Sequence, residues 1–80
     1  MKEGTTSCGT LFNQGTALAR LGRFEEAIVV FDDLLARFGD ATEPGVRETV
    51  VLARYNKGTT LNLLERSEEA LAVFDDLLER

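Results

Sequence analysis

The chain has no histidine and one cysteine, Cys8, and each shortage removes a kind of chemistry. A single cysteine makes no intramolecular disulfide. Without an imidazole nothing is at hand to activate its thiol or a serine hydroxyl, and no zinc spacing or glycine-rich phosphate loop takes the place of that apparatus. Positive charge is also scarce, with nine Lys and Arg against fourteen Asp and Glu and a net charge of −5. That balance works against nucleic acid, whose phosphate backbone is held by clustered cations. No apolar run approaches the roughly 18 residues that suggest a membrane span, so no membrane contact is expected. No basic start followed by an apolar run and a small-residue cleavage site is visible, and a reducing, cytoplasmic setting is the default expectation. Neither catalysis, a cofactor nor a metal is expected. An 80-residue chain buries only about 60% of the surface its unfolded form exposes. With neither disulfide nor metal to supplement a small core, self-association is the expected supplement.

What the chain does have is a repeat of itself. Residues 12–37, FNQGTALARLGRFEEAIVVFDDLLAR, align without a gap on residues 55–80, YNKGTTLNLLERSEEALAVFDDLLER, and 16 of the 26 positions are identical. The offset is 43 residues from Phe12 to Tyr55 and again from Phe31 to Phe74. Self-similarity at a fixed period of this size marks a stacked repeat array.

In chain order, residues 1–10 hold two glycines and three threonines, poor helix formers both, and read as a frayed start. The counterpart in the second copy, residues 44–53, is strongly helix-like, so the first copy lacks its opening turns and the chain reads as cut from a longer array. Leu11, Gly15, Leu18 and Leu21 then follow the spacing of one helical face, which predicts a first helix from about Leu11. Gly22 breaks it, and Glu25 and Glu26 open a second helix at the end that favours carboxylates. That helix runs to about Phe38, with Phe24, Ala27, Ile28, Phe31, Leu34, Leu35 and Phe38 in one broad stripe, and Gly39 stops it. In the loop 39–43, Asp40 or Thr42 is placed to cap a third helix whose first turn holds Pro44. The third helix, to about Glu65, has two apolar-leaning faces: Val46, Val50, Ala53, Gly58, Leu61 and Leu64 on one, and Leu52, Tyr55, Thr59 and Leu63 on the other. Two faces imply two neighbours.

The second copy replaces Gly22 by Glu65 and Phe24 by Ser67, so the expected turn has lost its breaker. Nothing here forbids a continuous helix, but Ser67 is placed to cap a fourth helix with Glu68 and Glu69 in its first turn, and a bend is the favoured reading. The fourth helix turns Ala70, Leu71, Phe74, Leu77 and Leu78 inward.

Paired helices carrying Gly15, Leu18, Gly22, Phe24, Ala27 and Phe31, then Gly58, Leu61, Ala70 and Phe74, resemble the tetratricopeptide repeat over nearly the whole chain from Leu11. The resemblance implies an all-α fold of antiparallel helix-turn-helix pairs, 11–38 and 44–80, stacked as a short right-handed solenoid. In it Gly15 and Gly58 admit close helix approach, and Phe31 and Phe74 fill the space that remains. The 43-residue period exceeds the family's roughly 34, Leu34 and Leu77 stand where the family prefers small residues, and Gly39 replaces the closing proline. HEAT and armadillo repeats, with periods of about 40 to 47, remain a minor alternative.

A protein-binding scaffold is the implied function, the first helix of each unit lining a groove for a peptide. By family position that groove takes Phe12, Thr16, Ala19 and Arg20 from the first copy and Leu52, Tyr55, Thr59, Asn62 and Leu63 from the second. The same aromatic and leucine residues serve equally as packing of an array. The subgroup that clamps a C-terminal carboxylate uses Lys and Asn on this face, and Phe12, Tyr55 and the threonines do not reproduce it. The other reading is structural, a module that only stacks on itself. It predicts a homodimer, built by exchange of the fourth helix if the Glu65 to Ser67 turn straightens, with Glu65, Ser67, Phe74 and Leu78 at the contact. The acid pairs Asp32-Asp33 and Asp75-Asp76 point about 100° apart on a helix and read as solvated faces.

Overall fold

The computed structural model describes residues 7–78, in which four helices and no strand occur: α1 (Cys8–Arg20), α2 (Phe24–Phe38), α3 (Pro44–Leu63) and α4 (Ser67–Leu78). Consecutive helices pack as antiparallel neighbours, and α1 also lies beside α3. The all-α architecture of two helix pairs is the one the repeat predicts.

Helix α1 starts at Cys8 and not near Leu11. Ser7 is in extended backbone and its side chain accepts a hydrogen bond from the Thr10 amide at 3.1 Å. That cap satisfies one of the otherwise unpaired first-turn N–H groups and outweighs the poor propensities of Gly9 and Thr10. Of the expected frayed segment, residues 1–6 lie outside the described residues. Cys8, read as a residue of an unstructured stretch, is instead buried beside Leu11 in the core. Burial pushes its thiol pKa up, away from the reactive thiolate.

The caps of the other helices also depart from expectation. Neither Asp40 nor Thr42 caps α3; Glu43 stands in that place without a side-chain bond, and Pro44 follows in the first turn as expected. Ser67 is already helical, and the Arg66 carbonyl accepts the first helical bond from the Ala70 amide at 3.0 Å. Arg66 forks onto Glu69, as Arg23 forks onto Glu26 at the start of α2. These hydrogen bonds hold the Glu26 and Glu69 carboxyls below the usual range. All four side chains are largely exposed, so the pairs orient each helix start more than they stabilise it.

Two adjoining clusters form the core. The first joins Cys8 and Leu11 of α1, Ala27, Phe31 and Leu34 of α2, and Val50 and Ala53 of α3; the second joins Ile28 of α2, Leu61 of α3 and Ala70 of α4. Helix α3 belongs to both. The glycines make the predicted close approach: a methyl group on Gly15 would lie 2.5 Å from Cε1 of Phe31, and one on Gly58 would lie 2.6 Å from Cε1 of Phe74.

The chain bends between α3 and α4. Gly22 has φ 80° in the first turn, and Glu65 adopts φ 62° in the second, with matching bonds from Arg23 N to Leu18 O and from Arg66 N to Leu61 O, both 2.9 Å. A non-glycine residue in this region costs about 1–2 kcal/mol. Glu65→Gly is therefore expected to stabilise the chain by about 1 kcal/mol, after the glycine's own entropic cost, as a higher urea midpoint at unchanged m-value. A lower midpoint would show that Glu65 makes a compensating contact.

Helix α4 does not bury all of its expected stripe. Ala70 is buried and Phe74 and Leu77 are half-buried, but Leu71 and Leu78 are 61% and 84% exposed. Their counterparts on α2 lie under α3, and among the described residues no helix lies over α4 in the same way.

Candidate functional site

A recess of about 220 Å³ opens between α1 and α3, lined by Thr16, Ala19 and Arg20 from the first and Asn56, Thr59, Thr60 and Leu63 from the second, with Phe31 reaching it from α2. Spacings of three and four residues put each set on one helix face. The recess is built mainly on the first helix of each unit. Asn56 Nδ2 donates to Thr16 Oγ1 at 3.5 Å, a long bond that ties the two walls together.

Of the residues assigned to a groove by sequence, Thr16, Ala19, Arg20, Thr59 and Leu63 meet in this recess. Phe12 lies one turn away on α1, lining a neighbouring depression with Thr16, Arg20 and Leu21. Its ring is tilted against Phe31 at a centroid distance of 6.4 Å, and Phe12 is half-buried. Tyr55 makes the equivalent contact with Phe74 at 6.1 Å yet remains 55% exposed. Leu52 sits further toward the start of α3, beside Val51, Arg47 and Pro44. Asn62 is exposed next to Leu63 but does not line the recess. Asn56 and Thr60 are lining residues that the family positions did not include; the identity of Asn13 with Asn56 in the repeat alignment was the signal for the first.

The surface this creates is apolar with neutral hydrogen-bonding groups. Thr59 Oγ1 donates to the Tyr55 carbonyl at 3.0 Å and Thr60 Oγ1 to the Asn56 carbonyl at 2.7 Å, leaving each hydroxyl oxygen as an acceptor. Arg20 is the one charged side chain lining it. The adjacent acids separate as helix geometry requires, Asp32 accepting from Lys57 Nζ at 2.6 Å and Asp33 from Arg37 Nε at 3.0 Å. Among the described residues no group of His, Cys, Asp or Glu is placed to hold a metal ion, and no helix is long and apolar enough to cross a membrane.

The residues assigned to self-association are dispersed. Glu65 is in the turn, Ser67 opens α4, Phe74 packs on Gly58 and Tyr55, and Leu78 stands exposed at the far end of α4. In this single chain Glu65 is bent, and α3 and α4 are separate helices.

The family model of the tetratricopeptide repeat matches residues 10–41, which takes in α1, α2 and the start of the following loop. No curated protein and no solved structure matches the chain.

Proposed function

Because residues 10–41 match the tetratricopeptide repeat model, we propose that the α1–α3 face receives a segment of another protein and that the module works by binding, without catalysis. Repeats of this family mediate protein–protein interaction. What supports the finer reading is the stripe Leu52, Tyr55, Leu63, all exposed on α3 and running alongside the recess. Exposed tyrosine and leucine in line, beside hydroxyl and amide groups, suit a peptide that contributes apolar side chains and backbone polar groups together. Arg20 adds a preference for a neutral or acidic residue at its end of the recess. A clamp for a terminal carboxylate is not part of the proposal, since no lysine lines this face.

The test is selection of binding peptides from a displayed library against the 80-residue protein, followed by fluorescence polarisation. Tyr55→Ala is expected to weaken the selected peptides by about tenfold or more, the effect of losing an aromatic anchor. Its thermal melt should change little, because the residue is more than half exposed. Peptides that bind with equal affinity to wild type and to both Tyr55→Ala and Leu63→Ala would count against the groove.

A further inference from the structure

The turns inside the two helix pairs share a shape but not a residue. Gly22 takes φ 80° in the first and Glu65 takes φ 62° in the second. Glycine adopts that region freely, so the α1–α2 turn is relaxed, while the side chain at Glu65 makes the α3–α4 turn a strained one. The letters around it favour helix over turn. Residues 62–69, NLLERSEE, hold no glycine or proline, and Leu, Glu and Arg are good helix formers. The closed turn is held by bonds from Glu65 N to Asn62 O and from Arg66 N to Leu61 O, both 2.9 Å. Straightening exchanges them for ordinary helical bonds, so no backbone pairing is lost.

What straightening gives up is the contact of α4 with its own chain. Helix α4 packs along α3, with Ile28 of α2 joining their shared cluster, whereas α2 is packed between α1 and α3. Arg54 Nε lies 3.7 Å from Asp76 Oδ2, Gly58 lies under Phe74, and Leu61 clusters with Ala70. Numbers fall along α4 as they rise along α3, about a midpoint at Glu65 and Arg66. Two straight helices related by a two-fold axis at that midpoint run antiparallel in the same register, because the rise per residue is equal on either side of the axis. The α4 of a second copy therefore meets every partner that a chain's own α4 meets.

We propose that α4 exchanges between two copies of this chain: the Glu65 turn straightens, α3 and α4 become one helix, and each α4 takes the other's place against α3. A strained connection ahead of a helix that packs along one neighbour is the arrangement that invites such exchange. The first pair, relaxed at Gly22, stays closed. No residue of α4 lines the α1–α3 recess, so the dimer keeps one recess on each chain and the exchange does not depend on a ligand there.

The test begins with the 80-residue protein refolded from urea at rising concentrations and sized by light scattering, where a dimer fraction that grows with concentration is expected. Glu65→Gly relaxes the closed turn and weakens the straight helix, and should raise the dissociation constant of the dimer by about tenfold or more. Glu65→Ala, a good helix former with no ease at positive φ, should dimerise at least as well as wild type.

The decisive arm uses Arg54 and Asp76, which pair within a chain when it is closed and between chains after exchange. The Arg54 side chain is 14% exposed, so the pair is screened less than one on the open surface. Arg54→Glu alone and Asp76→Lys alone each set like charges together, in the closed chain and in either homodimer. Refolded together, the two variants regain both opposite-charge pairs in the exchanged heterodimer and nowhere else. Native mass spectrometry separates the three dimers, and the heterodimer is expected well above its statistical share. Where a variant alone is poorly folded, recovery of helicity on mixing reads the same exchange by circular dichroism. A monomer at every concentration, a Glu65→Gly dimer as tight as that of wild type, or a heterodimer at its statistical share with no gain of helicity on mixing would each overturn the proposal.

Discussion

Phe31→Ala is expected to leave the chain largely unfolded at room temperature, while the same change at the duplicate position, Phe74→Ala, leaves it folded. Phe31 has no exposed surface and is enclosed by α1, α2 and α3. Removing such a ring costs about 3–5 kcal/mol, made up of lost transfer energy and of the cavity left behind. A domain of this size has about 4–12 kcal/mol in total and stands at the low end when its core is small. Phe74 keeps part of its surface in water and packs on Gly58, Tyr55 and the smaller cluster, so about 1–2 kcal/mol is expected there. Urea unfolding followed by circular dichroism measures both. Equal losses at the two positions would mean that the units are equally enclosed, contrary to the burial seen here.

Gly15→Ala should destabilise by about 2 kcal/mol, although alanine is the better helix former by up to about 1 kcal/mol. The added methyl meets Phe31 Cε1 at 2.5 Å and its ring neighbours at 2.8 Å, and a fully enclosed ring has nowhere to retreat. At Gly58 the contact with Phe74 is as short, 2.6 Å, but that ring borders solvent and swings outward at little cost. Gly58→Ala is therefore expected near neutral. Thermal melts of the two variants, run beside wild type, read the contrast directly. A Gly15→Ala protein as stable as Gly58→Ala would show that Phe31 is not confined.

These pairs also mark how much of the molecule was legible in its letters. The 43-residue alignment identifies both glycines and both phenylalanines, and the structure sets each glycine under its phenylalanine. It does so because close packing leaves no other use for a glycine in mid-helix opposite an aromatic. The helix starts were less legible. Ser7 capping from within a Gly- and Thr-rich stretch, and Glu43 in place of Asp40 or Thr42, depend on backbone geometry of a few residues, which propensity does not resolve. At Glu65 the letters pointed both ways. Nothing local forbids a straight helix there, and the bend gathers Ala70 with Leu61 and with Ile28, the last distant in sequence from the turn. The recess followed the family positions as far as the helix faces go. It takes in Thr16, Ala19, Arg20, Thr59 and Leu63 but not Phe12, Leu52, Tyr55 or Asn62, the last one residue and about 100° off the lining face, and it adds Asn56 and Thr60 on that face.

The membership of α3 in both clusters sets an order in which structure is lost. Detaching α4 gives up Ala70 and the half-buried Phe74, Val73 and Leu77, while Val50 and Ala53 still anchor α3 on α2. Detaching α3 dissolves both clusters at once. Opening thus begins at α4 as the least costly excursion, and the rest of the chain outlasts it.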